Sequence, residues 1–386
     1  MSTLPSPDDC LDTLVVGAGQ AGLAMAWHLA QRDQRFLVVD GAPELGHSWR
    51  SRWDSLRLFS PTQYDGLPGM PFPAPADSYP GKDEVADYLR EYATRFELPV
   101  LLGTAVARLE RTAAGFTAHT AQGPLRARRV VVATGAFQRP AVPEVATGLG
   151  PEVTQLHSSA YRNPGQVPAG RVLVVGAGNS GLQIAEELAA THPVVVSAGS
   201  RPASLPQRFL GRDLFWWMTR LGMLERTADS GLARRLRARG DLVIGSSRRR
   251  LRHAGVEFRP RVVAASGAEV RFADGTSDRP AAVVWATGFR SDHTWIDVPG
   301  VLRDGSVVHR RGITDVPGLY FLGLPWQRTR GSSLLGFVQH DAAWLAEQMA
   351  ARQEVRPVIT GALDPGRIRE VSAGSRSSTA TSGATR

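Results

Sequence analysis

Two stretches of this chain repeat one pattern, in which an apolar run is followed by three spaced glycines, a helix-like segment and a second apolar run. The first stretch extends from Asp12 to Asp40 and the second from Arg171 to Arg201. The order of strand, G-x-G-x-x-G turn, helix and strand is typical of the unit that holds a dinucleotide pyrophosphate. Because the unit occurs twice, the sequence predicts an α/β fold with two Rossmann-like dinucleotide-binding domains.

The first glycine turn lies between Gly17 and Gly22. Its first glycine permits the tight turn, the second lets the backbone approach the phosphates, and the third lets the helix pack closely on the strand. Free N–H groups and the helix dipole favour an anion at the helix N-terminus. Asp40, at the end of the second strand, is suited to the ribose hydroxyls. The predicted cofactor contacts of this unit are Gly17, Gly19, Gln20, Ala21, Gly22 and Asp40.

The second unit ends differently, because its second strand runs into Ser197-Ala198-Gly199-Ser200-Arg201 and meets no acid. A basic side chain at this position can bind a ribose 2′-phosphate, which an acid would repel. We therefore assign FAD to the first unit and NADPH to the second; an ordinary surface arginine is the alternative interpretation of Arg201. The predicted cofactor contacts of this unit are Gly176, Gly178, Asn179, Ser180, Gly181, Ser200 and Arg201.

A strand that ends in Ala-Thr-Gly also occurs twice, where each sheet would pass the chain to the other domain. Six more residues are thereby predicted to contact the cofactors: Ala133, Thr134, Gly135, Ala286, Thr287 and Gly288. The expected organisation is an FAD domain formed by residues 1–165 and 285–363, with an NADP domain of residues 166–284 inserted into it. Residues 364–386 contain almost nothing apolar and are predicted to be a disordered tail.

The length and the cysteine content limit the possible classes of protein. A chain of 386 residues is too long for one ordinary core, so two domains are expected. Cys10 is the single cysteine, which excludes an internal disulfide and a C-x-x-C redox pair. No stretch approaches the ~18 apolar residues of a membrane span, and the polar N-terminus lacks the features of a secretory signal. We expect a cytoplasmic protein without a membrane span.

Positive charge is concentrated between Arg201 and Arg261. This segment holds 15 arginines and five acids, whereas the whole chain has a formal net charge of +9. No nucleic-acid-binding motif accompanies the arginines, so we expect no nucleic-acid partner. The segment is interpreted either as a solvated surface or as a positive field for an anionic cofactor such as NADPH. Within it, Phe215, Trp216 and Trp217 form either a packing ridge or an apolar substrate entrance.

Three other segments flank the predicted nucleotide sites. Pro61–Gly81 is rich in proline and glycine, so it is predicted to be a loop and a candidate wall of the active site. Lys82–Phe96 has the apolar spacing of a helix, with Asp83 as its expected cap. A final helix is expected from Leu335 to Ala351. Its N-terminal dipole would face the nucleotide edge of the sheet and stabilise negative charge on a reduced flavin.

Together these elements resemble the flavin-containing monooxygenases in their small bacterial form, which include YUCCA-like flavoproteins. The resemblance covers residues 12–352 and adds Trp49, Arg50, Val106 and Gly323 to the predicted cofactor contacts. Besides the paired turns, the matching segments are Gly46-His47-Ser48-Trp49-Arg50, Ser55-Leu56-Arg57-Leu58, His157 with Tyr161, and Gly318 to Gly323.

The resemblance implies an FAD- and NADPH-dependent monooxygenase in which reduced flavin and O2 form a C4a-hydroperoxide. This adduct would oxygenate a small N- or S-containing nucleophile or a carbonyl substrate. Tyr161 stands where family members that oxygenate ketones usually have tryptophan, which favours the N- or S-containing substrate. His157 is interpreted as a structural residue between the domains, with a proton donor as the alternative. No catalytic residue and no metal ligand is assigned.

Two other functions fit the same residues. One is an NADPH oxidase, or a reductase with another acceptor. The other is a non-catalytic flavin-binding regulatory protein that uses the basic segment as its partner surface. The sequence identifies neither the substrate nor the oligomeric state, for which a homodimer is one candidate.

Overall fold

The structure is a computed structural model that describes residues 9–199, 204–224, 226–238 and 242–354. One compact unit ends at Ala346, and a second begins at Glu347. Ser200, Arg201 and the predicted tail 364–386 lie outside the described residues. Among the described helices, none has both the length and the apolarity that a membrane span requires.

The strands and helices below are numbered along the described part of the chain. The strands are β1 Cys10–Val16, β2 Phe36–Val39, β3 Val100–Leu101, β4 Val106–Thr112, β5 Gly115–Thr120, β6 Gly123–Val132, β7 Arg139–Pro140, β8 Thr154–His157, β9 Val172–Val175, β10 Val194–Ser197, β11 Ser204–Leu205, β12 Arg208–Phe209, β13 Arg212–Asp213, β14 Val243–Ile244, β15 Glu257–Arg259, β16 Val262–Ser266, β17 Glu269–Phe272, β18 Ser277–Asp278, β19 Ala282–Trp285, β20 Phe289–Arg290, β21 Ile296–Asp297, β22 Leu302–Arg303, β23 Ser306–Val307 and β24 Leu319–Phe321. The α-helices are α1 Gln20–Ala30, α2 His47–Arg50, α3 Lys82–Arg95, α4 Asn179–Leu188, α5 Leu214–Arg220, α6 Gly231–Ala238, α7 Arg248–His253 and α8 Val338–Glu354.

The larger sheet has the strand order β21-β4-β5-β6-β1-β2-β3, with β24 also beside β6. β1 pairs in parallel with β2 and β6, so that Val15 lies opposite both Val38 and Val131. β6 is long because its halves have different partners: the first pairs antiparallel with β5 and the second in parallel with β24. Its second half, Val130–Val132, is the apolar run that precedes the first Ala-Thr-Gly segment.

The smaller sheet has the order β15-β10-β9-β19-β8, and all its pairings are parallel. Every residue of β10 and β19 is buried. Burial on both faces explains why these strands are continuous apolar runs rather than alternating ones. Helices follow β1 and β9 directly, as parallel connections require. The predicted α/β fold with two Rossmann-like parts is confirmed.

The chain crosses from the larger sheet to the smaller after β6 and returns after β19. Each crossing begins with an Ala-Thr-Gly segment, and the two crossings run side by side. β7 pairs antiparallel with β20, and Arg139 forms an ion pair with Asp292 at 2.5 Å. The domain boundaries themselves stay a prediction.

The expected cap of α3 is wrong. The N-cap is Gly81, and its backbone N–H donates to the side chain of Glu84 at 2.7 Å. Asp83 instead accepts a bond from Lys82 Nζ at 3.1 Å. Glu84, the third residue of the helix, therefore satisfies the free N–H of the N-cap residue, and Asp83 lies within the first turn and not at the cap.

Candidate functional site

The first glycine turn is packed against the end of β6. Gly17 has a φ of 110°, and a Cβ there would lie 2.5 Å from the carbonyl oxygen of Ala133. A Cβ on Gly22 would overlap the carbonyl oxygen of Gly17, so α1 packs directly on the turn. At Gly19, no heavy atom lies within 4 Å of a Cβ position. The turn is closed behind and open at Gly19, which fits a pyrophosphate at the N-terminus of α1.

Asp40 directly follows β2 and braces this turn. Its Oδ2 accepts from the backbone N–H of Ala18 at 2.6 Å, and its Oδ1 accepts from that of Ala42 at 2.8 Å. A carboxylate offers about four lone-pair sites, so acceptor capacity remains for ribose hydroxyls. The backbone N–H of Thr104 donates to the carbonyl of Asp40 at 2.8 Å. This bond brings the start of β4, with Val106, to the same strand end.

The opposite wall of the first turn comes from distant parts of the chain. Trp49 Nε1 donates to Gln20 Oε1 at 3.2 Å, and Gln20 Nε2 donates to the carbonyl of Ser333 at 3.4 Å. A Cβ on Gly323 would lie 2.9 Å from the Cβ of Ala21. The structure thus brings four of the predicted contacts together at the start of α1. It adds Ser333, which the sequence analysis missed because no local pattern marks it.

Arg50 has other partners than a nucleotide. Its Nη2 donates to Asp87 at 2.8 Å, and Asp83 and Glu44 lie at 3.4 and 3.5 Å. The bond to Asp87 raises the pKa of the Arg50 guanidinium. These carboxylates orient the side chain toward α3, and a contact of Arg50 with the cofactor stays a prediction.

The second glycine turn repeats the geometry of the first. Gly176 has a φ of 116°, and a Cβ there would overlap the carbonyl oxygen of Ala286. A Cβ on Gly181 would likewise overlap the carbonyl oxygen of Gly176, whereas Gly178 faces open space. The second turn is therefore closed behind and open in front, and it fits a second pyrophosphate.

The side chain of Asn179 connects the second glycine turn to β14 and the residue before it. Its Nδ2 donates to the carbonyl of Leu242 at 3.1 Å, and its Oδ1 accepts from the backbone N–H of Ile244 at 3.0 Å. Its side chain therefore positions β14, which spacing along the sequence could not predict. Ser180 follows it, half-buried in the first turn of α4.

Arg261, which is not among the predicted contacts, lies beside the end of β10, whereas the predicted Arg201 is outside the described residues. A Cβ on Gly199 would lie 2.8 Å from Nε of Arg261. Arg261 is exposed, and no described residue forms an ion pair with it. Its neighbour Arg259, by contrast, is paired with Glu257. Arg261 follows β15, which pairs with β10, and this pairing is the signal that could have found it.

The threonines of the Ala-Thr-Gly segments brace the crossings. Thr287 Oγ1 donates to the carbonyl of Ala141, and Gln138 Nε2 donates to Thr134 Oγ1, both at 2.6 Å. A Cβ on either Gly135 or Gly288 would meet no heavy atom within 4 Å. In both Ala-Thr-Gly segments the alanine carbonyl packs against a glycine turn and the threonine hydrogen-bonds within the crossing. The glycine has open space beside it.

His157 joins β8 to the return crossing. Its Nε2 lies 3.0 Å from the carbonyl oxygen of Gly288, and its Nδ1 accepts from the backbone N–H of Ser159 at 3.1 Å. A neutral imidazole protonated at Nε2 satisfies both bonds, and burial lowers the pKa of His157. Tyr161 is buried, and its hydroxyl donates to Glu187 at 2.8 Å. Both side chains support the structural interpretation.

An aromatic cluster joins the proline-rich loop, α5 and the approach to α8. Phe215 is its fully buried centre, with ring centroids 5.8–6.1 Å from those of the other three members. Leu334, one residue after the Ser333 that accepts from Gln20, packs against the same cluster. A cavity of about 300 Å³ adjoins it. The members of the aromatic cluster are Phe59, Tyr64, Phe215 and Phe337.

Two buried carboxyls lie beneath this cluster. Asp213 accepts from Tyr79 OH at 2.5 Å and from the backbone N–H of Phe215 at 2.6 Å, so it ties the proline-rich loop to α5. Asp65 accepts from Ser60 Oγ at 2.6 Å, while its other oxygen is buried with no hydrogen-bond partner among the described residues. Burial raises the pKa of Asp65 to about 7.

The first turn of α8 contains one member of an ion pair. Asp341 in the first turn is buried, and Arg328 Nε donates to it at 2.7 Å. The expected effect of this helix dipole on a reduced flavin stays a prediction. Within the described ranges, no group of three or more histidine, cysteine, aspartate or glutamate side chains could hold a metal ion.

Comparison with known proteins identifies the family. A family model for pyridine nucleotide-disulphide oxidoreductases matches residues 14–204. An uncharacterized CzcO-like oxidoreductase of Geobacillus kaustophilus is 44% identical over 337 residues, which cover 87% of this chain and 97% of that protein. The indole-3-pyruvate monooxygenase YUCCA8 of Oryza sativa subsp. indica is 30% identical over 341 residues, or 77% of this chain and 80% of that protein. This chain belongs to the flavin-containing monooxygenase family.

A solved structure agrees with that placement. A flavin-containing monooxygenase from Stenotrophomonas maltophilia has a TM-score of 0.76 and 28% identity, and the match covers 89% of this chain and 99% of that one. The chain is therefore an oxidoreductase of a flavin- and nicotinamide-dependent type, as its motifs predicted. Cys10 is the single cysteine of the sequence, so the chain has no C-x-x-C redox pair.

The geometry of the first glycine turn predicts that substitutions at two of its glycines have different effects, one on folding stability and the other on flavin binding. Gly22→Ala should lower the thermal midpoint by several degrees, because overpacking costs about 1–3 kcal/mol and this Cβ meets backbone. Gly19→Ala should leave the midpoint of the flavin-free protein nearly unchanged and weaken flavin binding. Differential scanning fluorimetry and the flavin absorbance of purified variants measure the two effects. Equal melting of the two flavin-free variants would contradict this account.

The raised pKa of Asp65 predicts a pH-dependent stability. The folded chain holds this proton more tightly than the unfolded chain, so the stabilisation is complete below about pH 4 and is lost as the pH rises through about 7. Asp65→Asn should therefore be more stable than the wild type at about pH 8, by on the order of 2 kcal/mol. Urea unfolding at both ends of this range tests it. The exposed Asp315→Asn is the control and should leave the pH profile unchanged.

Proposed function

We propose that this protein is an NADPH-dependent FAD monooxygenase that transfers one oxygen atom of O2 to a small N- or S-containing or carbonyl substrate. The observation that carries the proposal is the contrast between two turns of the same geometry. The first meets the carboxylate of Asp40, which has acceptor capacity left for ribose hydroxyls, and the second has at its strand end the guanidinium of Arg261, which pairs with no carboxylate of the described residues. A guanidinium matches the 2′-phosphate that distinguishes NADPH from FAD and NADH.

The redox chemistry would come from the cofactors. When bound, FAD reduced by NADPH supplies electrons to O2, so that one oxygen atom enters the substrate and the other leaves as water. The chain itself binds and orients the two nucleotides through the open faces at Gly19 and Gly178. A nucleophilic nitrogen or sulfur needs no protein base to accept oxygen, which agrees with the absence of an assigned catalytic residue.

The aromatic cluster supports a water-poor substrate site. Leu334, which packs against it, directly follows Ser333, whose carbonyl accepts from Gln20 of the first turn. The bond between Tyr79 and Asp213 fastens the proline-rich loop over it. Exclusion of water strengthens electrostatic interactions and limits side reactions that waste reducing equivalents as hydrogen peroxide.

Arg261 predicts the nicotinamide preference. Arg261→Ala should raise the KM for NADPH about tenfold or more, because a charge-assisted contact contributes about 1.5–3 kcal/mol, and should leave the KM for NADH nearly unchanged. Arg259→Ala is the matched control, since Arg259 is already paired with Glu257. Arg201→Ala should act in the same direction as Arg261→Ala. Steady-state kinetics with both nucleotides measure these KM values. An equal rise in the KM for NADH would show that Arg261 does not bind the 2′-phosphate.

The reaction class is tested by product balance. The yellow, flavin-loaded protein should convert a panel of small sulfides, tertiary amines and ketones with close to one oxygenated product for each NADPH consumed. Phe215→Ala should divert most of the NADPH to hydrogen peroxide, whereas Phe209→Ala, an exposed residue of the same segment, should not. Stoichiometric peroxide with every substrate indicates an oxidase instead. Bound flavin without NADPH turnover indicates a regulatory protein.

A further inference from the structure

The segment between the second nucleotide unit and β14 exposes an apolar tip. β12 and β13 form a hairpin whose turn is Leu210-Gly211, and the residues Phe209 and Leu210 are 55% and 74% exposed. Leu210 has a φ of 48°, a conformation that leucine rarely adopts. An aliphatic residue held in a strained turn and directed into solvent is costly to fold, so the tip calls for a functional explanation.

Two tryptophans on α5 support this hairpin. Trp217 Nε1 donates to the carbonyl of Phe209 at 3.0 Å, and the two rings lie 6.4 Å apart. Trp216 packs edge-on against Trp217 at 4.8 Å, and the guanidinium of Arg212 lies 5.4 Å from the Trp216 ring. Both tryptophans are partly buried and keep some surface in contact with solvent. The tip is therefore carried on a fixed aromatic base.

The rim of this surface is positively charged. Arg208, Arg212 and Arg220 are all exposed, and Leu221 at the end of α5 is 60% exposed, one helical turn from Trp217. The acid of the same stretch, Asp213, is only 2% exposed and is bonded inward to Tyr79. We call this surface the excursion patch and define it by Arg208, Phe209, Leu210, Arg212, Trp216, Trp217, Arg220 and Leu221.

We propose that the excursion patch docks on the surface of a bilayer that contains anionic lipids. Partly exposed tryptophans are suited to the headgroup level, exposed aliphatic side chains insert below it, and arginines meet lipid phosphates. The patch combines all three features on one hairpin and one helix. The proposal does not depend on the proposed function.

Charge complementarity favours a lipid surface over two other occupants. A second copy of the chain on this patch would bring the arginines of both copies together around the symmetry axis, with no exposed acid of the patch to pair with them. A nucleic acid would engage the arginines but would leave Leu210 and Leu221 without an apolar environment. An anionic lipid surface offers phosphates to the arginines of the rim and an apolar environment to the residues of the tip.

Vesicle co-sedimentation of the full chain tests the proposal. The protein should bind vesicles of phosphatidylcholine with about one third phosphatidylglycerol, and should bind pure phosphatidylcholine much more weakly. Raising the salt from about 0.1 M to about 0.5 M should weaken binding. The double variant Phe209→Ser/Leu210→Ser should lower the partition coefficient about tenfold or more. Val263→Ser, which changes a 50% exposed residue on β16, is the matched control and should bind as the wild type does.

Two further measurements distinguish lipid binding from self-association and from misfolding of the variant. Light scattering should give the same mass for wild type and double variant; a wild-type dimer that the double variant dissociates would overturn the proposal in favour of self-association. Wild-type binding that the double variant retains in full, or binding to DNA alone, would also overturn it. If the double variant unfolds at a much lower temperature than the wild type, the wild type alone is tested with vesicles whose acyl chains carry bromine, which quenches nearby tryptophans. Quenching of tryptophan emission supports insertion, and no quenching refutes it.

Discussion

The contact on which this structure depends is made by backbone alone. At the first turn Gly17 lies against the carbonyl oxygen of Ala133, and at the second Gly176 lies against that of Ala286. No Cβ fits at either contact, so the strand end, the start of the helix and the beginning of the crossing are fixed relative to one another. The nucleotide turn and the passage of the chain between sheets are therefore one mechanical unit, present twice. A change that moves one crossing must also move a glycine turn.

The walls of the candidate site come from segments that are remote in sequence and joined by a few bonds. Tyr79 and Asp213 connect the proline-rich loop to α5, and Gln20 connects the first turn to the approach to α8. Desolvation of the two buried carboxyls opposes folding. For Asp213 the bonds from Tyr79 and Phe215 offset part of that cost, whereas Asp65 has a single bond from Ser60. Asp65 is thus the less satisfied member, and burial raises its pKa to about 7.

The sequence was sufficient for features that depend on local spacing. Both glycine turns, their strands and the Ala-Thr-Gly ends follow from runs of a few residues, because backbone geometry at these points permits few side chains. It was insufficient where a contact joins distant segments. Arg261 reaches the end of β10 only through the pairing of β10 with β15, and the bond from Ala18 to Asp40 requires the turn to fold over the strand end. Asp83 was misassigned because the helix begins one residue before it, at Lys82, so that Asp83 lies in the first turn and Gly81 is the N-cap.

α5 has two faces with different chemistry, and only one of them is explained by nucleotide binding or by folding. Phe215 on the inner face is buried among Phe59, Tyr64 and Phe337, where it stabilises the wall of the cavity. On the outer face Trp217 is only partly buried, Leu221 is 60% exposed, and both stand beside exposed arginines. Folding alone would favour polar residues on that face, since exposed apolar side chains bring no stability and promote association. The same short helix therefore links the interior of the candidate substrate site to an outer surface whose composition is that of a lipid contact.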